Sequence, residues 1–99
     1  MSCDYMVGVP YNIASYALLQ TMFAATVNMV PRILEADMTN VHIYNFHKTN
    51  AIMQASRTPR ELPTLKVLTH RDKLEDYRLE DFGLYGYDPQ GFIKYERAV

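Results

Sequence analysis

Four polar side chains in this sequence have types and spacings that could bind a small ring-bearing ligand: Asp4, Asn12, His42 and Tyr44. The amide of Asn12 carries an acceptor and two donors in one plane. It could therefore bond both N3–H and O4 of a ring such as uracil, a pattern that cytosine reverses. Asp4 could accept from the N–H groups of a fused pyrimidine such as a pterin. His42 and Tyr44 lie two residues apart, so on a strand they share a face and could donate together to a sugar hydroxyl.

Each of these residues also has a purely structural explanation. An Asn that follows a turn is a common helix N-cap, and Asn12 could be both a cap and a ligand-binding residue. Asp4 could be a surface carboxylate. His42 and Tyr44 could simply pack on a half-buried strand. The residues alone therefore indicate a possible small-molecule edge and leave these alternatives open.

The segment that must position Asp4 and Asn12 reads as a strand, a turn and a helix. Residues 2–7 tolerate a strand, and Gly8 and Pro10 predict a turn after it, because Pro lacks an N–H and Gly permits unusual dihedrals. Residues 12–27 are apolar on nearly every side, which predicts a buried helix. Asn28 is a plausible stop for this helix.

The rest of the chain predicts short strands around one further helix. Extended segments are expected at 32–36, 41–44, 65–68 and 82–87, a helix at 45–56, a loop or helical turn at 69–78, and a docked tail at 92–99. We therefore predict an α/β or α+β fold in which a buried helix packs on a mixed β-sheet. No linker interrupts the chain, so residues 1–99 are expected to form a single unit.

Composition excludes several classes of function. The 99 residues are 48% apolar and carry a formal charge of −1, which describes one globular unit with no basic surface for nucleic acid. The apolar run is too short and too interrupted to span a membrane, and no signal peptide is visible. The one cysteine forms no internal disulfide, so we expect a cytoplasmic protein.

No metal site or activated nucleophile is expected. His47 and His70 have no companions at metal-ligand spacing, so both are interpreted as surface or structural residues. Cys3 has no evident base beside it in sequence and is not taken as a nucleophile.

Six motifs in order give the sequence a strong resemblance to the C-terminal third or so of the thymidylate synthase family, from Ser2 to Val99. They are Gly8-Val-Pro-Tyr-Asn-Ile-Ala-Ser-Tyr-Ala-Leu-Leu19, His42-Ile-Tyr44, Pro59-Arg-Glu-Leu-Pro63, Glu80-Asp-Phe82, Gly86-Tyr-Asp-Pro89 and Ile93-Lys94, and the chain ends on the family's Ala98-Val99. The resemblance implies the C-terminal part of the thymidylate synthase fold.

The resemblance also implies binding roles. The residues it assigns to dUMP are Ser2 at the phosphate, Asn12 at the uracil ring, and His42 and Tyr44 at the 3′-hydroxyl. Those it assigns to the co-substrate 5,10-methylenetetrahydrofolate are Asp4, Gly8, Tyr11, Ala98 and Val99. In this family the C-terminal tail closes over the bound ligands and excludes water.

The same resemblance implies that no catalytic residue lies in these 99 residues. The family's nucleophilic cysteine belongs to a Pro-Cys-His segment that is expected upstream, and Cys3 falls at a position that the family varies. Four residues depart from the family pattern. Met1 stands where the family has an arginine, Asn40 where it usually has an aspartate, Phe46 where it usually has an asparagine, and Gln90 where it usually has a histidine.

Three functional hypotheses follow. In the first, the chain is the nucleotide- and folate-binding portion of a methyltransferase that makes dTMP from dUMP, inactive without the N-terminal part of the enzyme and homodimeric in the complete enzyme. The second is the corresponding portion of a dUMP hydroxymethylase, which uses water where the first uses hydride. The third is a non-catalytic remnant or interaction module.

Overall fold

The computed structural model describes residues 3–97, and Met1, Ser2, Ala98 and Val99 lie outside the described residues. The helices and strands are β1 (Cys3–Asp4), α1 (Gly8–Thr26), β2 (Val41–His42), α2 (Lys48–Ala55), β3 (Thr64–Val67) and β4 (Phe82–Tyr85). Single turns of 3-10 helix cover Asn45–His47, Leu74–Asp76 and Leu79–Asp81. Two helices and two small sheets confirm the predicted α/β class.

The described residues group into two compact units. The first comprises residues 3–14, 35–59 and 90–97, and the second comprises 15–34 and 60–89. In the first unit, β1 pairs with β2 in parallel, and in the second, β3 pairs with β4 antiparallel. The predicted strands at 65–68 and 82–87 and the helix at 45–56 are confirmed, with small shifts of their ends.

Helix α1 begins earlier than the sequence indicated. We expected a turn at Gly8 and Pro10 and a helix from Asn12, but the helix starts at Gly8. A proline in the first turn breaks no helical hydrogen bond, because the first four N–H groups of a helix have no partner within it. The N-cap interpretation of Asn12 is therefore wrong, since this residue lies in the second turn.

The end of α1 agrees with the prediction. Asn28 has φ of 58°, in the left-handed region. Its N–H donates to the carbonyl of Ala25 at 3.3 Å, and the N–H of Met29 donates to the carbonyl of Ala24 at 2.7 Å. This pair of bonds is a Schellman motif, in which a left-handed residue satisfies the last carbonyls of a helix.

The predicted burial of α1 is wrong for this chain. Val9 and Ala24 are buried, whereas Tyr11 is 77% exposed and Tyr16 is 64% exposed. A chain of this length has too little mass to surround a 19-residue helix that is apolar on nearly all sides. The predicted strand at 32–36 is also wrong, because these residues pair with no strand among the described residues. Instead, the carbonyl of Ile33 accepts from the side chain of Gln20 at 2.6 Å.

A buried carboxylate organises the second unit. Asp81 is 2% exposed and accepts two bonds from the guanidinium of Arg71, at 2.9 and 3.0 Å, and one from the backbone N–H of Arg78 at 2.8 Å. The hydrogen bond from Arg71 lowers the pKa of Asp81 below its ordinary value, with help from the Arg78 N–H. The backbone carbonyl of Asp81 also accepts from the N–H of Leu68 at 2.7 Å, which fixes the loop that closes the β3–β4 pair.

Candidate functional site

The carboxyl edge of the parallel β1–β2 pair brings two predicted site residues together. In the register of this pair Cys3 faces Val41 and Asp4 faces His42. Backbone bonds on both sides of the pair hold this register: Cys3 N–H to the Asn40 carbonyl at 2.7 Å and Tyr5 N–H to the His42 carbonyl at 2.9 Å. Registered neighbours on parallel strands lie about 4.8 Å apart and point to the same face. Asp4 and His42 therefore form one polar pair where both strands end.

Asp4 contributes an acceptor that the described protein does not use. Its Oδ1 is buried and has no hydrogen-bond partner among residues 3–97. A buried carboxylate oxygen without a donor loses its hydration and gains nothing in return, so such atoms are uncommon and often belong to binding sites. The oxygen is suited to an N–H donor from a ligand.

His42 is oriented by a residue of its own loop. Its Nε2 lies 2.6 Å from Oδ1 of Asn40, and both side chains are exposed. Since Oδ1 of an amide only accepts, Nε2 carries a proton in this arrangement. Asn40, one of the departures from the family pattern, thus still supplies an oxygen to this histidine.

Tyr44 follows β2 and is held by aromatic neighbours. Its ring stacks on Phe46 at 5.5 Å between centroids and 15° between planes, and it meets the edge of the His47 ring at 5.7 Å. Such stacked and edge-on contacts restrict the orientation of the ring. Phe46, another departure from the family pattern, therefore supports Tyr44 by packing.

Three further predicted residues lie on the first turns of α1. Gly8 and Asn12 are four residues apart, which puts them on one face of the helix, and a Cβ at Gly8 would lie 3.7 Å from the Asn12 amide nitrogen. This is an ordinary contact, so the protein itself leaves room for a side chain at position 8. Tyr11 and Asn12 are exposed.

The predicted residues thus divide into those that the structure brings together and those that it does not describe. Asp4 pairs with His42, Tyr44 follows at the same strand end, and Gly8 shares a helix face with Asn12. Ser2 and the tail pair Ala98 and Val99 were predicted from the resemblance and lie outside the described residues. Cys3 has a free, half-buried thiol in β1.

Sequence reasoning underestimated His47. It is 1% exposed, its Nε2 lies 2.5 Å from the backbone carbonyl of Glu96, and its Nδ1 has no partner among residues 3–97. The interpretation as a structural residue is confirmed and the surface alternative is wrong. No local signal predicted this burial, because polar residues at helical spacing, such as His47, Asn50 and Gln54, are typical of a solvent-exposed face. His70, by contrast, is half exposed and lies 3.4 Å from Asp72.

The described residues hold no group of three or more His, Cys, Asp or Glu side chains that could bind a metal ion.

No helix within residues 3–97 is both long and apolar enough to cross a membrane.

The fold and the site define an α/β protein with a polar edge at the carboxyl ends of two parallel strands, the position at which such sheets bind ligands. Comparison with protein families then identifies the family. The family model described as thymidylate synthase matches residues 1–99. The chain belongs to the thymidylate synthase family. Membership implies a dimeric methyltransferase of dTMP synthesis whose substrate is dUMP.

Proposed function

We propose that residues 1–99 form the dUMP- and folate-binding portion of a thymidylate synthase. The observation that carries the proposal is the registered pair of Asp4 and His42, together with the buried Oδ1 of Asp4, which has no hydrogen-bond partner among residues 3–97. Two polar groups at one strand end, one of them with an oxygen unpartnered within the described residues, can form part of a ligand-binding site.

On the nucleotide side, three residues act as donors and acceptors. The Asn12 amide accepts from N3–H of the uracil ring and donates to O4, while His42 and Tyr44 bond the 3′-hydroxyl of the sugar. The exposure of Asn12 and the support of Tyr44 by stacked aromatics support this assignment, since both polar groups remain available. Ser2 is assigned to the phosphate by resemblance.

On the folate side, Asp4 accepts from a pterin N–H. The pterin is flat and carries adjacent N–H groups, so a fixed carboxylate oxygen can both bind and orient it. Gly8 lets the helix start approach the ring, and Tyr11 packs near it. Ala98 and Val99 complete the pocket when the tail closes, which excludes water from the reacting atoms.

These residues bind and orient, and they do not supply the nucleophile. The sequence contains no Pro-Cys-His segment, and the single thiol, Cys3, has no adjacent base. We propose that the attacking cysteine belongs to the N-terminal part of the enzyme. The complete enzyme is then a homodimer that works in the cytoplasm. Methylenetetrahydrofolate supplies the one-carbon unit and the hydride.

Titration calorimetry tests the binding role directly. The chain should bind dUMP with a larger heat than dCMP, and Asn12→Ala should weaken dUMP binding about tenfold or more, because a bidentate pair is lost. Ser15→Ala changes another exposed polar residue of the same helix and should leave binding unchanged. Equal binding of dUMP by wild type and Asn12→Ala would refute the assignment.

Tritium release from 5-tritiated dUMP tests whether the nucleophile belongs to the N-terminal part of the enzyme. With folate present, the chain alone should release no tritium, and release should appear when a polypeptide with the Pro-Cys-His segment is added. Turnover by the isolated chain would overturn this part of the proposal, and mass analysis of the product would distinguish methylation from hydroxymethylation.

A further inference from the structure

Three polar side chains alternate along the segment that contains β2: Asn40, His42 and Tyr44. Alternate residues of an extended chain point to one face. The backbone is still extended at Tyr44, with φ of −64° and ψ of 146°. The imidazole of His42 therefore lies between an amide and a phenol in one row of side chains.

Asn40 is fixed at the start of this row by its backbone. Its carbonyl accepts from the N–H of Cys3 at 2.7 Å, which ties it to the neighbouring strand. Its side-chain Oδ1 lies 2.6 Å from Nε2 of His42. The backbone of Asn40 cannot turn without losing the bond between the strands, so its side chain presents the oxygen to His42 from a fixed position. The pairing of β1 with β2 thus also orients the imidazole.

The contact with Asn40 decides which nitrogen of His42 is left for a ligand. An amide oxygen has no proton to give, so Nε2 is the donor in this contact. A neutral imidazole carries a single proton, and its second nitrogen is then an acceptor. Nδ1 of His42 is therefore available to a ligand as a hydrogen-bond acceptor.

A hydroxyl group on the ligand suits this arrangement, because a hydroxyl both donates and accepts. Its oxygen accepts from the hydroxyl of Tyr44, and its proton is donated to Nδ1 of His42. A ligand group that only accepts, such as an ether oxygen, satisfies Tyr44 and leaves Nδ1 without a donor. The two residues together therefore favour a free hydroxyl over a group of similar size without a proton.

We propose that Asn40 is a positioning residue that holds His42 in the Nε2–H tautomer, so that His42 accepts a hydrogen bond from a hydroxyl of the ligand. The identity of this hydroxyl rests on the proposed function, in which it is the 3′-hydroxyl of dUMP. The sequence alone pointed to His42 and Tyr44 as two donors. The contact with Asn40 instead makes Tyr44 the donor and His42 the acceptor.

Nitrogen-15 NMR of the full chain measures the tautomer directly, because a ring nitrogen that carries a proton resonates far from one that does not. The chain has three histidines, and the signals of His42 are identified by their loss in His42→Gln. Spectra are recorded at pH 8, where imidazole is ordinarily neutral. Asp4, the charged residue in register with His42, is present in every variant compared. In the wild type, Nε2 of His42 should carry the proton and Nδ1 should not.

Asn40→Ala removes the acceptor for Nε2. The fraction of His42 rings with an unprotonated Nε2 should rise about fivefold, the change in population expected for one lost hydrogen bond. Asn40→Asp keeps an oxygen at this position and should leave Nε2 protonated in at least as many rings as in the wild type. Thr39→Ala changes the exposed neighbour and should have no effect. An unchanged fraction in Asn40→Ala would overturn the proposal.

Calorimetry at pH 8 tests the consequence for binding. The two ligands are dUMP and 2′,3′-dideoxyuridine 5′-monophosphate, which differ only in the 3′-hydroxyl. The ratio of their affinities measures what this hydroxyl contributes. The ratio should be about fivefold smaller in Asn40→Ala than in the wild type, while the affinity for the dideoxy nucleotide should be the same in both. Thr39→Ala should keep the ratio of the wild type.

The NMR spectra of the complexes identify the nitrogen that meets the ligand. Bound dUMP should shift the Nδ1 signal of His42, and the dideoxy nucleotide should not. An Nδ1 that gains a proton when dUMP binds would show that His42 donates, and an equal loss of affinity for both nucleotides in Asn40→Ala would show that Asn40 shapes the site as a whole. Either result would overturn the proposal. If neither nucleotide binds, the proposed function is refuted, and the ligand-free spectra decide separately whether Asn40 sets the tautomer.

Discussion

Removing the carboxylate of Asp4 should stabilise the protein and weaken its binding of folate. Oδ1 of Asp4 is buried without a partner among residues 3–97. A buried acceptor left unsatisfied costs about 1–3 kcal/mol of folding free energy. Asp4→Ala removes that oxygen, and the substitution deletes little apolar surface. We expect the free energy of unfolding to rise by about 1 kcal/mol.

Urea unfolding of the full chain measures this gain. For a protein of this size, 1 kcal/mol corresponds to a shift of the midpoint by about 0.5–1 M urea, or of Tm by about 4–8 °C. The chain has eight tyrosines and no tryptophan, so tyrosine fluorescence and circular dichroism are the two probes. Asp37→Ala is the matched control: it removes an exposed carboxylate of the same unit and should change stability by less than about 0.5 kcal/mol.

The same variant should lose the ligand. A hydrogen bond to a charged group contributes about 1.5–3 kcal/mol, so folate binding in the presence of dUMP should weaken at least tenfold in Asp4→Ala. A variant that is both less stable than wild type and equally good at binding folate would refute the reasoning. It would show that the carboxylate has a structural partner and no ligand.

Three further predictions concern stability. The pKa of Asp81 is lowered in the folded state, so the stabilisation it provides is present above its ordinary pKa of 3.8 and is lost as the pH falls through the lower folded value. The urea midpoint of the wild type should therefore fall more steeply below about pH 4 than that of Asp81→Asn. At pH 7 the variant should be the less stable of the two. Parallel curves of urea midpoint against pH for the two proteins would contradict this prediction. Asn28→Gly should keep or raise Tm, whereas Asn28→Ala should reduce stability by about 1 kcal/mol, because φ of 58° is strained for alanine. Gly86 has φ of 73°, and the space around its Cβ position is open. Gly86→Ala should therefore lower the free energy of unfolding, measured in urea, by about 1 kcal/mol through backbone strain alone. An unchanged free energy of unfolding would mean that the turn relaxes to accommodate alanine.

Local signals in the sequence predicted the elements that depend on local interactions. Asn28 was identified as a helix stop because a left-handed residue is needed there, and β3 and β4 were found from their composition and flanking turns. Pro10 misled the prediction of the helix start, since proline was taken as a breaker although it lies in the first turn. The segment 32–36 looked like a strand because of its apolar residues, but a strand also needs a partner edge, which no local pattern specifies.

Contacts between distant parts of the chain were beyond sequence reasoning. The register that sets Asp4 against His42 joins residues 38 positions apart, and the bond from His47 to Glu96 joins residues 49 positions apart. The sequence supplied the residue types, and the family resemblance supplied candidate roles. Only the structure shows that one oxygen of Asp4 is buried and has no hydrogen-bond partner in the part of the chain that is described, and the proposed binding role depends on this observation.

The exposure of α1 is a separate argument that the binding residues work with other protein segments. A helix that is apolar on nearly all sides is stable in water only when other elements cover it. Yet Phe23 is 52% exposed and Val27 is 58% exposed, in addition to the two exposed tyrosines nearer its start. Apolar surface of this extent is typical of an interface.

The N-terminal part that we propose to carry the nucleophile is suited to bury this surface of α1, because α1 also carries Asn12 near its start. Burial of α1 and delivery of a cysteine to the ligand bound there would then be achieved by the same contact. Protection of the α1 amides from hydrogen exchange should increase when that part is added, and unchanged protection together with restored activity would show that the two roles are separate.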